Sequence, residues 1–475
     1  MRQTKLMGIR YRSIADRIER MIADGVYEPG ERIASIRQLS ELFDASINTI
    51  KSALHLLQDR GILNAVPRVG TYVVSRPVAY HESEYVDDLV DAVIEEYGRP
   101  PISTAVIQKM DLAVLPQELV PTKLIQLAMH TASSSHSPLL DGFATFERTA
   151  ELRSRISQRE MQHSIAINPD HLVFASSIEQ AVSQLLLMLN PTRRPVAVQT
   201  PTYYGHLTIL QALHMPVLEL PTLPDGSFSV PLLAAAVQQN QVGVALLDTA
   251  VHNPTGMSIP EARLTELSQL VSEAQLPVIE YGMLRDTLCH APAPTLYSLA
   301  PSGSVFYCSS YAESLSPSIK TAWVAAGSYA DRLRDRWRAT SCTASALPLA
   351  VLEQLLSSRQ LRRIHTHNRE IVTDSLISSA EVIRDSFPTG TNFTLPDGGF
   401  ALWIELPRGL SGRSVFRAAR KEGIWIAPGL MFGRCPEDYD GWIRIAPGVF
   451  DDDKKQVLGR LGGLVSKVRS RSVIR

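Results

Sequence analysis

The chain is poor in cysteine. Only Cys289, Cys308, Cys342 and Cys435 occur among 475 residues, and no two form a CxxC pair. That spacing excludes a disulfide scaffold and a cysteine-based zinc site, so no metal centre is expected. The four read as reduced thiols of a cytoplasmic protein. Long apolar runs are missing too, and no segment has the length of a membrane span. The N-terminal stretch MRQTKLMGIRYRSIADRIERM is periodic and of mixed charge, without the apolar stretch of a signal peptide. Net charge is almost absent, with 47 Lys and Arg against 48 Asp and Glu. This excludes a uniformly basic nucleic-acid coat but not a local basic module. Repeats and low-complexity tracts are absent. What is present is 45% hydrophobic and 20% charged, the balance of a soluble protein with a sizeable core. The length predicts two or three domains.

Charge divides the chain. Residues 1–78 hold twelve Lys and Arg against eight Asp and Glu, whereas residues 82–96 hold seven acids and no base. A switch of that kind marks a boundary. Val86, Leu89, Val90, Val93, Ile94 and Tyr97 recur at helical spacing within it, so a short amphipathic helix is expected in the joint, stopped by Gly98, Pro100 and Pro101. Beyond it, long helical patterns alternate with short apolar runs (PVAVQT, VGVALLDT, LPVIEY, SVFYCSS), which predicts an α/β domain with a mainly parallel sheet covered on both faces.

In the basic segment, a helix is expected over Ser13–Asp24, with Ile14, Ile18, Met21 and Ile22 inward. A second fits Ser35–Phe43, with Ser35 as N-cap and Ile36, Leu39 and Leu42 as its apolar stripe. A third starts at Ser46, buries Ile50, Ala53, Leu54 and Leu57, and stops at Gly61. Ile62-Leu63 and Thr71–Val74 then read as two short strands joined by a turn bearing Arg68 and Gly70. Two short helices joined by a tight turn present the second to a DNA major groove. Its first turn carries Ser46, Asn48, Thr49 and Lys51, side chains able to bond phosphates or base edges. Arg68 is placed to enter a minor groove or clamp a backbone. The ordered string PGERIASIRQLS…ASINTIKSAL…RGIL…RVGTYV resembles the winged helix-turn-helix domain of the GntR regulators. The resemblance implies DNA contacts at Arg37, Ser46, Asn48, Thr49, Lys51, Arg68 and Gly70. Ala34 departs from the usual proline, and Ile47 from a residue that is often basic.

A second set of fragments follows in order. They are Pro201-Thr202-Tyr203-Tyr204-Gly205, His252-Asn253-Pro254-Thr255-Gly256, Ser309–Pro317, Gly398-Gly399-Phe400, Ala427-Pro428-Gly429 with Phe432, and Ile443-Arg444-Ile445. Together they resemble a fold type I aminotransferase domain, with a mainly parallel sheet and a small C-terminal α+β subdomain. Behind a GntR-type domain, this is the organisation of the MocR regulators. It implies a winged helix-turn-helix at 1–78, a linker at 79–112 and an aminotransferase-like domain at 113–475. It also implies a homodimer bound to double-stranded operator DNA, and a small-molecule effector such as an amino or organic acid.

By resemblance the cofactor is pyridoxal phosphate (PLP). Its chemistry needs a lysine amine for the Schiff base and an aspartate on the pyridine nitrogen. At the lysine position stands Glu313, which cannot form an imine, and at the aspartate position Tyr281. The tyrosine expected next falls on Met283 or Leu284, the phosphate arginine is Lys320, and the second phosphate serine is Ala312. The phosphate turn reads Ser176-Ser177-Ile178. Retained are Tyr203 at the stacking position, Asn253 at the ring-hydroxyl position, Ser310 as one phosphate serine, and Arg444 at the position that grips a substrate carboxylate. The expected ligand pocket is therefore Tyr203, Asn253, Ser310, Lys320 and Arg444, with no catalytic residue. The expected function is a regulator whose large domain pairs and senses without catalysis. A PLP-dependent aminotransferase and a regulator holding PLP non-covalently are the alternatives.

Overall fold

The computed structural model describes parts of 11–27, then 33–73 short of 44, 60–61 and 67–69. It also describes 108–473 short of 135–138, 141, 290–293 and 301–302. The expected helix at 82–97 and Arg68 lie outside the described residues.

In the N-terminal unit, serine caps set the helix starts. Ser35 Oγ receives the Gln38 N–H, and the Gln38 side chain returns to the Ser35 N–H at 2.9 Å, a reciprocal cap ahead of the helix Ile36–Leu42. Ser46 Oγ receives the Thr49 N–H at 3.2 Å and opens the helix Ile47–Asp59. The apolar faces meet strands β1 (Leu63–Val66) and β2 (Gly70–Val73), an antiparallel pair. Ile14, Ile18, Leu39, Ile50, Leu57 and Leu63 form one core. Leu42, expected inside, is 59% exposed because its helix ends there.

Within the segment expected as linker, β3 (Gln108–Lys109) pairs with a strand of the C-terminal part of the chain. The main sheet has seven strands: β4 (Leu172–Ala175), β5 (Val196–Thr200), β6 (Val217–Pro221), β7 (Val244–Leu247), β8 (Val278–Tyr281), β9 (Val305–Ser310) and β10 (Ala322–Ala325). Their order is β4-β10-β9-β8-β7-β5-β6, and β10 alone runs against the others. Every strand but the edge strand β6 is buried on both faces, as the continuous apolar runs required. Since six strands share one direction, their carboxyl ends line one crevice. β5 leads to β6 on one side while β7 lies on its other side, so the crevice opens at a switch in strand order, where ligands bind in such sheets.

The small subdomain has the antiparallel sheet β11 (Asn392–Phe393), β12 (Leu402–Glu405), β15 (Trp442–Ile445) and β14 (Ala427–Pro428). Helices Arg359–Ser386 and Asp452–Val473 cover it. β13 (Ile424–Trp425) pairs in parallel with β3, which thereby joins this subdomain. Among the described residues no helix is long and apolar enough to cross a membrane.

Candidate functional site

The strand ends deliver the crevice residues. Past β5, Thr200-Pro201-Thr202 leads to Tyr203. Its ring lies so close over Gly205 that a Cβ there would sit 2.4 Å from it. The Tyr203 ring is 6.4 Å from that of Tyr281, which ends β8, and 5.4 Å from His206. Asp248 follows β7 directly. Glu313 stands three residues beyond β9. The loop after β4 enters the helix Ile178–Leu189, capped by Ser177, with Glu179 in its first turn.

Asn253 sits in a turn closed by Gly256, whose φ of +71° disfavours a side chain and where a Cβ would fall 2.3 Å from Pro396 Cβ. Its Oδ1 accepts from Arg444 Nη1 at 2.8 Å, and its N–H donates to Asp248 Oδ2 at 3.3 Å. Arg444 lies on β15, 1% exposed. Its Nη2 donates to the Asp111 carbonyl at 2.6 Å, and the Phe432 ring lies 4.8 Å from the guanidinium carbon. Both amino groups are thus engaged within the chain.

The expected phosphate groups are not assembled for an anion. Ser310 is buried, and its hydroxyl donates to the Thr321 carbonyl at 2.8 Å while accepting the Ala312 N–H. Lys320 is largely exposed at the mouth, its Nζ 3.7 Å from Glu179 Oε2. A carboxylate of the chain therefore stands at the helix N-terminus, the end that favours negative charge. PLP does not fit this arrangement: Glu313 offers no amine, Tyr281 no carboxylate to a ring nitrogen, and Glu179 opposes a phosphate.

Glu313 is partly exposed, although protein surrounds it. Burial first, then Glu179, pushes its pKa up to about 7 against an ordinary 4.5, with Arg444 opposing. Between those values the folded chain holds a proton that the unfolded chain has released. This group's contribution to stability therefore falls as pH rises from about 4.5 to 7. Glu313→Gln is expected to stabilise the protein by about 1–3 kcal/mol at pH 8 and by little at pH 4.5. Melting curves of both proteins across that range check it, and equal pH profiles would refute it.

Reasoning from sequence missed three crevice residues. Asp248 is 4% exposed, and burial, with Glu313 adding, holds its pKa well above the ordinary range. His206 is buried, and its pKa is lowered to about 3 by burial and His252. Glu179 lies in the first turn of a helix, where sequence spacing gives no further signal. A carboxylate closing the apolar run VGVALLDT was the one available signal for Asp248.

In the N-terminal unit Arg37, Ser46, Asn48 and Lys51 are exposed, as is Ile47, and Gly70 opens β2. Thr49 departs from expectation. It is 7% exposed, and its hydroxyl lies 2.8 Å from that of Ser46, so it serves the helix cap rather than an outward face.

Comparison with known proteins agrees with this architecture. Residues 115–461 match the family described as aminotransferase class I and II, and residues 10–73 the bacterial regulatory proteins of the gntR family. An uncharacterised HTH-type transcriptional regulator of Escherichia coli, YjiR, is 27% identical, with 92% of this chain and 94% of YjiR covered. YdcR of the same organism, likewise uncharacterised, is 25% identical over 96% and 99%. Among solved structures, LysN, an alpha-aminoadipate aminotransferase of Thermus thermophilus, superposes with a TM-score of 0.69 at 21% identity, covering 77% of this chain and 93% of LysN. A Pyrococcus horikoshii kynurenine aminotransferase gives 0.71 at 19% identity, over 82% and 97%. Those two likenesses establish the fold, whose family generally uses PLP. From residue 115 the chain belongs to the aminotransferase class I and II family, and with the gntR-type domain ahead of it the protein is a DNA-binding transcription regulator of the MocR type.

Proposed function

We propose that this regulator acts in the cytoplasm as a homodimer on double-stranded operator DNA, and that its large domain pairs the subunits and senses a small molecule without covalent cofactor chemistry. What supports this reading is the substitution itself: at the position where the family resemblance expects the imine-forming lysine, three residues beyond β9, the chain carries Glu313. Lys320, at the position of the phosphate arginine, is largely exposed and lies 3.7 Å from Glu179 Oε2. Pairing is supported by apolar side chains left uncovered, with Phe143 91%, Leu127 58% and Leu347 51% exposed.

The protein incubated with PLP and reduced with borohydride is expected to keep its unmodified mass. A phosphopyridoxyl adduct would overturn the reading and favour the aminotransferase alternative. Non-covalent PLP is tested by titration with pyridoxine phosphate, and the Glu179 carboxylate at the helix N-terminus opposes both phosphates.

For the DNA contacts we propose Arg37, Ser46, Asn48 and Lys51 on the exposed face, with Arg68 and Gly70 from the hairpin. Lys51→Ala is expected to weaken operator binding and to lower the slope of log affinity against log salt by about one. An unchanged slope over a salt series would remove Lys51 from the interface.

A further inference from the structure

We propose that the exposed face of the helix Arg359–Ser386 is a contact between copies of this chain, two such helices pairing antiparallel about a two-fold axis beside His367. It rests on the homodimer reading and adds to the apolar contact a separate, ionic one that joins homodimers.

The charges of this helix are segregated along its length. Arg359, Arg362 and Arg363 open it, and no acid occurs from Gln354 to Arg369. Glu370, Asp374, Glu381 and Asp385 follow. All seven residues are exposed. Among the described residues none of the seven forms an ion pair, and Arg362 Nη2 meets the neutral Gln162 Oε1, at 3.0 Å. By contrast Arg155, Arg159, Arg263 and Arg334, on other helices, each have a carboxylate partner.

The helix gains nothing from this pattern by itself. Helix starts favour acids, and the first turn here has none. Like charges four residues apart repel, and Arg359 with Arg363, Glu370 with Asp374, and Glu381 with Asp385 are three such pairs. Signs interspersed at the same spacing would have supported the helix instead.

A second copy turns the pattern to advantage. Arg359, Arg363, Glu370 and Asp374 lie within about 60° of one another around the helix axis, so they share one face. Along the axis Arg363 and Glu370 are about 10 Å apart, and Arg359 and Asp374 about 22 Å. Both intervals have the same midpoint. With a two-fold axis at that midpoint, Arg363 faces the partner's Glu370 and Arg359 the partner's Asp374. Each pair is made twice, as a surface meeting itself requires. Ile377, 43% exposed, is the one large apolar side chain exposed on this helix among the described residues. The contact is therefore ionic, and salt weakens it. Leu127 and Leu347 lie on other helices, which leaves this face for a second contact.

Sedimentation velocity of the full chain tests this. At about 50 mM salt a species of twice the homodimer mass is expected, and at about 500 mM it falls apart to the homodimer. Arg363→Glu brings two carboxylates to each central pair, and Glu370→Arg two guanidiniums. Each variant alone is expected to associate at least tenfold more weakly than the parent. An equal mixture of the two variants is expected to associate again, because opposite signs then face each other at both central pairs. Melting curves check that both variants fold. The proposal fails if the parent has one mass at both salt levels, if either variant associates like the parent, or if the mixture stays apart. Arginines that served DNA phosphates instead would give a weaker hold on a random-sequence duplex in Arg363→Glu and no association in the mixture. The homodimer reading is judged separately, by the mass at high salt, where a single-chain mass would overturn it.

Discussion

Replacing Arg444 with alanine is expected to destabilise the large domain by about 3–5 kcal/mol. The guanidinium is 1% exposed and bridges two buried acceptors, Asn253 Oδ1 at 2.8 Å and the Asp111 carbonyl at 2.6 Å. Alanine leaves both without their donor and opens a void beside Phe432. Lysine keeps the charge but reaches one acceptor instead of two, so Arg444→Lys falls between. Denaturant unfolding measures the loss. Hydrogen exchange locates it, because the same bond pins the segment whose amides Gln108 and Met110 donate to Gly423 and Trp425. Undiminished protection there in Arg444→Ala would refute the anchoring role.

The second large effect belongs to Asp286. Arg159 Nη2 lies 2.8 Å from its carboxylate and His163 Nε2 3.6 Å, in a pocket where each side chain is mostly covered. Burial alone would raise the Asp286 pKa, but Arg159, His365 and His163 outweigh it and hold it well below its usual range. Asp286→Asn leaves Arg159 buried beside a neutral amide, and breaking such a pair costs about 3–5 kcal/mol. Glu160 moderates the loss. Its pKa is raised to about 8, by burial first and Asp286 second, so removing Asp286 lets it ionise towards Arg159. The expected net loss is about 2–4 kcal/mol at pH 7. The sign follows from the depressed pKa: the Asp286 contribution is present above 3.8 and disappears as pH falls towards the folded value. The variant should therefore match the parent in strong acid and fall progressively below it as pH rises, with the full difference reached by about pH 4. A constant difference at all pH values would exclude the ion pair as its source.

The two functional segments were legible to different depths. Ser35 and Ser46 announced helix starts because a hydroxyl one residue before an apolar period has a local use, and both caps form. Thr49 could not be read the same way. Its position in the first turn suggests an outward face, but the capping hydroxyl of Ser46 draws it in. Glu313 and Tyr281 were legible as substitutions because the fragments around them are contiguous. The bond from the Ser310 hydroxyl to the Thr321 carbonyl, just ahead of the antiparallel strand β10, could not be read from spacing. Asp248 and Glu179 escaped notice because each stands just past a strand of the main sheet, β7 and β4, and strand order is not written in the spacing. β3 escaped for a simpler reason: a two-residue strand has no period to detect.

That short strand has a mechanical consequence. The polypeptide leaving the gntR-type domain enters the large domain at Gln108, runs two residues alongside β13, and three residues after its first contact hands a carbonyl to Arg444. Pulling the segment back by one two-residue repeat, about 7 Å, would strip Arg444 of that acceptor and free a guanidinium arm towards the crevice. Conversely, whatever claims that arm from within would leave the Asp111 carbonyl without its donor.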